Sequence, residues 1–288
     1  MKVITDRDDL RNVLAAGRLN GRTVGLVPTM GSFHEGHLAL MSAARESTDL
    51  VVVSLFVNPT QFGEREDLDS YPADLSRDRG LAEAAGVDVL WTPSREDMYP
   101  PGFSTWVEVD GLTDVLCGSP ERRGSAHFRG VTTVVTKLFN TVRPDVAFFG
   151  QKDAQQALVL RRMAADLDMG VEVRIEPTVR AADGLALSSR NAHLSDAERI
   201  RATCLSRIIS AASGQIRSGG ANSASILEKA RSELVPGVEL EYLEIRNAED
   251  LSAVENFNGR PVLVAIAARV GKARLIDNTI VQPTPSGG

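Results

Sequence analysis

Cysteine is nearly missing from these 288 residues: Cys117 and Cys204 stand 87 positions apart with no Cys-x-x-Cys spacing. Neither a disulfide scaffold nor a thiolate metal framework can be built from them, and a reducing cytoplasm is the expected setting. Long apolar runs are missing too. No segment approaches the ~20 apolar residues that span a bilayer, and Met1-Lys2-Val3-Ile4-Thr5-Asp6 turns acidic where a signal peptide would turn apolar. No membrane is expected as a partner. Basic residues are not in excess either. A net charge of −6 and a pI near 5.4 argue against a broad cationic surface for nucleic acid or anionic lipid, while permitting a local cationic pocket. Any phosphate chemistry must therefore be concentrated in a site. The chain also contains neither Gly-x-x-x-x-Gly-Lys-[Ser/Thr] nor Gly-x-Gly-x-x-Gly, which removes the P-loop and the dinucleotide fingerprint.

What is present is an ordinary globular composition, 43% hydrophobic and 24% charged, long enough for two domains. Thr23 to Val27 and Leu50 to Val57 read as strands on either side of a helical stretch from about His37 to Glu46. The alternation continues through a helix near Leu75 to Ala85, a strand over Val87 to Trp91 and a helix near Val131 to Val142. A strand over Val146 to Phe149, a helix over Ala154 to Asp168 and a strand over Val171 to Ile175 follow. Nearly continuous apolar strands alternating with helices predict an α/β fold, a parallel sheet covered on both faces, with ligands at the carboxyl ends of the strands. After Pro177 the rhythm changes. Helices over Asp196 to Arg217 and Ser223 to Leu234 precede strands over Leu240 to Ile245, Val262 to Val270 and Arg274 to Val281. The expected organisation is a sheet domain over 1–178 and a smaller α+β lid domain over 179–288, with a turn at Ser218-Gly219-Gly220 and a disordered tail over Pro283 to Gly288.

Pro28-Thr29-Met30-Gly31-Ser32-Phe33-His34-Glu35-Gly36-His37 lies where the first of these strands ends and the first long helix begins. A helix N-terminus exposes N–H groups and partial positive charge, and two histidines on its first turn can add donors to phosphoryl oxygens. Gly36 would let a nucleotide ring approach the backbone. The same pair also fits a plain cap or packing role. His-x-x-His is not the His-Glu-x-x-His of zinc proteases, and no further ligand cluster accompanies it. Asn58 and Gln61, in Phe56-Val57-Asn58-Pro59-Thr60-Gln61-Phe62, follow the next strand and can hydrogen-bond a polyhydroxy acid, or simply form a turn. Lys152 and Gln156, in Gly150-Gln151-Lys152-Asp153-Ala154-Gln155-Gln156, stand at another strand-to-helix junction that suits a phosphate. Ser188, Ser189 and Arg190, in Leu187-Ser188-Ser189-Arg190-Asn191, can grip a triphosphate from a loop that closes, although Ser195 is the better helix cap. His127, just before a helix, fits a structural and a functional role equally.

Taken together and in this order, these blocks resemble the pantoate–β-alanine ligase family of the His-x-Gly-His nucleotidylyltransferase superfamily. The similarity extends through Tyr242 to Arg246 and Ala268 to Asn278, so it covers nearly the whole chain. It implies a Rossmann-like fold for the sheet domain and ATP-driven activation of pantoate as a pantoyl adenylate, with release of pyrophosphate. Attack by the β-alanine amine then gives pantothenate and AMP. His34, His37, Lys152 and Arg190 would be catalytic; Met30, Gly31, Gly36, Gly150, Gln151, Asp153, Val179, Leu187, Ser188 and Ser189 would complete the ATP site. Gln61 and Gln156, with Asn58, would hold pantoate, while no residue announces β-alanine. Mg²⁺ would ride on the triphosphate without a protein ligand set of its own, and a homodimer is implied.

Phe33 stands where the family usually has leucine, Thr60 where methionine is frequent, and Leu187 where some members carry methionine. Arg123-Gly124-Ser125-Ala126-His127-Phe128 departs from the family's arginine-proline-glycine-histidine-phenylalanine. The nearest rival is another His-x-Gly-His enzyme that releases an adenylylated product and needs no β-alanine. A class I aminoacyl-tRNA synthetase is disfavoured by the missing anticodon domain and basic surface. A non-catalytic nucleotide-binding regulator would be expected to lose some of the histidine, lysine or Ser-Ser-Arg elements, and all are present.

Overall fold

A computed structural model describes residues 1–62, 74–219 and 222–284. They divide into two compact units, Met1–Gly150 with Gln156–Pro177, and Gln151–Gln155 with Thr178–Gly288. Gly220 of the expected turn and residues 285–288 of the expected tail lie outside the described residues.

The first unit is built from β1 (Lys2–Ile4), α1 (Arg7–Leu19), β2 (Val24–Thr29), α2 (Glu35–Ser47), β3 (Leu50–Leu55), α3 (Leu75–Ala84), β4 (Val89–Trp91), α4 (Arg95–Met98), α5 (Ser125–Val142), β5 (Val146–Gly150), α6 (Ala154–Asp166) and β6 (Glu172–Glu176). Its six strands form one parallel sheet in the order β1-β4-β3-β2-β5-β6. Strand side chains alternate between two faces, and both are buried. Val24, Leu26, Leu50, Val52, Ala147 and Phe149 pack with α1, α5 and α6, whereas Val27, Val51, Val53, Val146 and Phe148 pack with α2 and α3. This is the parallel sheet covered on both faces that the apolar strands predict, and the Rossmann-like fold that the resemblance implies.

Three elements escape the sequence reading, the single-turn α4 among them. β1 has three residues, too few for a period to register. α1 buries Leu10, Leu14 and Gly17 among charged, polar and small residues, and it starts at Asp6, whose carboxylate accepts from the Asp8 and Asp9 N–H groups. α5 also begins six residues before the expected start at Val131, which takes His127 into its first turn.

The second unit carries α7 (Asp196–Ala202), α8 (Cys204–Arg217) and α9 (Ser223–Arg231), then β7 (Val238–Asn247), β8 (Val262–Val270) and β9 (Ala273–Val281). The strands form an antiparallel sheet in that order, and the helices bury Leu205, Ile208, Ile209 and Ile226 against Leu243, Val264, Ile266 and Leu275. The single helix expected over Asp196 to Arg217 is interrupted at Thr203. Its hydroxyl donates back to the Ile200 carbonyl at 2.7 Å, a local bond that competes with the helical ladder.

Candidate active site

Strands β2, β3 and β5 are neighbours and parallel, so their carboxyl ends share one edge of the sheet. The winding reverses there: β2, β3 and β4 run outward to one side, and β5 and β6 to the other. β2 and β5 pair only at Gly25 with Val146 and Leu26 with Ala147, although β2 continues to Thr29 and β5 to Gly150. A reversal of this kind is where open α/β sheets form a ligand crevice. Met30 to His37 follow β2, Asn58 and Gln61 follow β3, and Gly150 closes β5.

His34 is the N-cap of α2 and His37 sits at its third position. The His34 Nδ1 accepts the Gly36 N–H at 3.1 Å, and the His37 Nδ1 accepts the His34 N–H at 3.4 Å. A backbone N–H can only donate, so both Nδ1 atoms are unprotonated and each neutral imidazole carries its proton on Nε2. The cap thereby turns two histidines into Nε2–H donors at the positive end of a helix. Their rings lie 4.2 Å apart, centroid to centroid. Gly36 has an intramolecular reason as well as the ligand-facing one, because a Cβ there would come within 2.9 Å of the His34 ring. The cap and the phosphate-donor role, alternatives in the sequence, are compatible in the structure.

The loop leading into this cap is held from behind by α3. The Asp78 carboxylate, only 1% exposed, accepts from the Ser32 N–H at 2.7 Å and the Phe33 N–H at 2.8 Å. Arg77 donates to the Phe33 carbonyl at 3.0 Å. Ser32 needs such support, since its φ of 54° lies in the left-handed region. Neither α3 residue was picked out from sequence. The sequence carries no signal for them: α3 is polar, and only the structure shows Asp78 sharing its buried stripe with Ala82.

Asn58 caps the turn Pro59–Gln61 and is 1% exposed. Its Nδ2 donates to the Gln61 Oε1 at 3.0 Å and the Gly130 carbonyl at 3.1 Å, while its Oδ1 accepts from the Tyr99 hydroxyl at 2.7 Å and the Thr60 hydroxyl at 2.9 Å. Gln61 Nε2 points at the Met30 Sδ, 3.2 Å away. Burial raises the Tyr99 phenol above its ordinary value. Gly130 permits this packing: a Cβ there would stand 2.3 Å from the Thr60 carbonyl oxygen. The His127 Nδ1 lies 2.7 Å from the Gln61 carbonyl, which can only accept, so that nitrogen carries the proton. His127 is thus tied to the backbone of the Asn58–Gln61 turn.

Gln156, half-buried, belongs to α6 in the same unit. The remaining sequence-derived residues are in the second unit. Gln151, Lys152 and Asp153 form one 3₁₀ turn, and the Lys152 ammonium pairs with Asp153 at 3.2 Å. The side-chain amide of Asn278, on β9, donates to both the Gln151 and the Lys152 carbonyls, at 2.9 and 2.8 Å. Val179 and Leu187 stand opposite each other, Leu187 N–H donating to the Val179 carbonyl at 3.0 Å. Arg180 between them forms a bidentate pair with buried Asp277, at 2.6 and 2.8 Å, which raises the guanidinium pKa further. Ser188 caps the turn Ser189–His193, its hydroxyl accepting the Arg190 N–H at 3.3 Å. Ser188, Ser189 and Arg190 are all half-buried. Among the described residues no group of three or more His, Cys, Asp or Glu side chains could hold a metal ion, and no helix is long and apolar enough to cross a membrane.

Comparison with known proteins bears on what such an arrangement does. A family model described as pantoate-beta-alanine ligase matches residues 2–280. The pantothenate synthetase of Moorella thermoacetica is 51% identical over 275 residues, 95% of this chain and 96% of that protein. That of Acetivibrio thermocellus is 50% identical over 284 residues, 98% and 100% of the two chains. The crystal structure of pantothenate synthetase from Thermus thermophilus matches with a TM-score of 0.90 at 46% identity, covering 98% of this chain and 100% of that one. A pantoate-beta-alanine ligase from Francisella tularensis, solved in complex with beta-gamma ATP and beta-alanine, matches with a TM-score of 0.80 at 31% identity, over 99% and 100% of the chains.

Proposed function

This chain belongs to the pantoate-beta-alanine ligase family, and from that premise we propose that it makes pantothenate in two steps. ATP and pantoate give pantoyl adenylate and pyrophosphate, and β-alanine then displaces AMP. The observation that carries the reading is the pair of histidine Nε2–H donors at the start of α2, beside the reversal of the sheet. Attack of a carboxylate oxygen on the α-phosphate builds charge on the phosphoryl oxygens, and preoriented N–H donors stabilise charge that develops there.

In this reading His34 and His37 donate to the α-phosphate, Lys152 neutralises the charge that grows there, and Ser188, Ser189 and Arg190 hold the β- and γ-phosphates. Met30, Gly31, Gly36, Gly150, Gln151, Asp153, Val179 and Leu187 shape the nucleotide site. Gln61 and Gln156 hold pantoate. Asn58 is spent on Gln61 and Gly130, so its contribution to pantoate is to set Gln61. Mg²⁺ would arrive with ATP and supply charge neutralisation there, with Lys152, Ser188, Ser189 and Arg190 as the protein groups beside the phosphates. The second step needs only the neutral amine of β-alanine and a site that limits hydrolysis of the mixed anhydride. The Francisella tularensis relative, solved with a nucleotide and beta-alanine, supports both as ligands of this chain.

The test is to incubate the protein with ATP, Mg²⁺ and pantoate, with and without β-alanine, and to follow AMP and product mass. Pantothenate and AMP should require β-alanine; a stable adenylylated end product, or AMP release indifferent to β-alanine, overturns the reading. Pre-steady-state pyrophosphate release should fall at least ~100-fold in His37→Ala and Lys152→Ala, both of which should remain folded. Near-native release in either variant removes that residue from the chemistry.

A further inference from the structure

Gln61 is held in one orientation by a chain of hydrogen bonds that begins at two hydroxyls the reaction itself does not use. The Gly130 carbonyl can only accept and the Thr60 N–H, 3.4 Å from the Asn58 Oδ1, can only donate. Together they fix which end of the Asn58 amide is oxygen. The Asn58 Nδ2 then faces the Gln61 Oε1, and the Gln61 amide has to turn its Nε2 the other way, toward Met30. A thioether is a weak acceptor, so this contact can be exchanged for a stronger one.

The hydroxyls of Tyr99 and Thr60 hold the Asn58 amide in that plane. Three oxygens, Asn58 Oδ1, Tyr99 Oη and Thr60 Oγ1, form a triangle with edges of 2.7, 2.9 and 3.1 Å. Two hydroxyl hydrogens serve three edges, and every arrangement that uses both sends at least one to the Asn58 Oδ1. Tyr99 keeps its hydrogen across the working range, because burial raises its pKa.

We propose that Tyr99 and Thr60 are positioning residues that, through Asn58, make Gln61 present an N–H donor rather than its carbonyl to an acceptor oxygen of the acid substrate. A carboxylate or a hydroxyl oxygen lone pair satisfies such a donor; a substrate group that can only donate does not. The inference rests on the reading of Gln61 as a pantoate ligand, and the experiment separates the two.

Initial rates are measured for Thr60→Val, Tyr99→Phe, Thr60→Ser and Gln61→Ala, and for Tyr99→Phe combined with Gln61→Ala, each checked for a native melting transition. Loss of one hydrogen bond in the chain should raise the pantoate KM about three- to tenfold, with the ATP KM within about twofold. Thr60→Ser keeps the hydroxyl and should restore the native value. With Gln61 already removed, Tyr99→Phe should have no further effect on the pantoate KM, a coupling that general loosening of the fold would not produce. Should Tyr99→Phe fail to fold, Thr60→Val decides the question through the same KM split. Gln61→Ala raising the pantoate KM while Thr60→Val and Tyr99→Phe leave it unchanged overturns the positioning role alone. So does an equal effect of Tyr99→Phe with and without Gln61. A native pantoate KM in Gln61→Ala overturns the ligand reading first, and the positioning role with it.

Discussion

Replacing Asp78 by asparagine tests whether the loop that delivers the histidine pair is held from α3. The substitution keeps the size of the side chain and removes one acceptor. Wild-type Asp78 receives two N–H groups, at 2.7 and 2.8 Å, on its two oxygens; the amide of Asp78→Asn keeps only one oxygen, and its NH₂ confronts the other N–H donor to donor. Hydrogen bonds to a charged group contribute about 1.5–3 kcal/mol each, and an unsatisfied buried donor costs about 1–3 kcal/mol. A loss of about 2–4 kcal/mol follows from these contributions. The two tryptophans of the sequence, Trp91 and Trp106, both belong to the sheet unit, so tryptophan fluorescence in urea reports that unit's unfolding. With a urea slope of about 2 kcal/mol per molar, the midpoint should fall by about 1–2 M. Glu83→Gln, an exposed position on the same helix, should shift it far less. In protein folded at low temperature, the proposed adenylation should still slow by about 10- to 100-fold, because a displacement near ~1 Å of the proposed phosphate donors has that cost, while the pantoate KM moves by less than about threefold. A native midpoint together with a native adenylation rate would refute the loop-clamp reasoning.

Two further outcomes follow from packing and burial. Gly130→Ala places a Cβ against the Thr60 carbonyl and the Gln61 N–H, backbone atoms that cannot swing aside; a loss of about 1–3 kcal/mol in the same fluorescence transition and a raised pantoate KM are expected, and unchanged values would show that the turn yields freely. Cys204 is fully buried and its thiol is pushed up by desolvation, whereas Cys117 is half-buried. Alkylation followed by peptide mass should modify Cys117 first and Cys204 only as the second unit unfolds. Because the folded-state thiol pKa is raised, its contribution to stability is fully present below the unfolded value and is lost as pH rises beyond it, so Cys204→Ala should flatten the alkaline limb of the stability profile.

The parallel sheet was legible because its strands are buried on both faces: Val51, Val52 and Val53 are consecutive and all fully buried, and such runs alternate with helical stretches along the chain. The placement of the histidine, lysine and Ser-Ser-Arg blocks at element boundaries was legible, because strand-like runs end and helical spacing begins beside them. What supports them was not. Asp78 looks like one more charge on a polar helix until its partners are known, and they lie 45 and 46 positions away. Tyr99 reads as one of a local aromatic group with Phe103 and Trp106, and its hydroxyl is joined to Asn58 across 41 positions. The break at Thr203 is equally silent, since threonine is common within helices and the same hydroxyl back-bond occurs at Thr132 inside the unbroken α5.

The tie between Asn278 and the Lys152 turn has a consequence in time as well as in space. The two carbonyls it caps precede it by 127 and 126 residues. During synthesis the whole parallel sheet can be made and paired before the side chain that completes this turn exists at all, and long-range contacts of this kind close late. A ribosome stalled before β9 therefore releases a protein with a finished sheet and an unfinished lysine turn. The ordering ties the group proposed to act on phosphate to completion of almost the entire chain, so a truncated product carries the histidines without the lysine held in place.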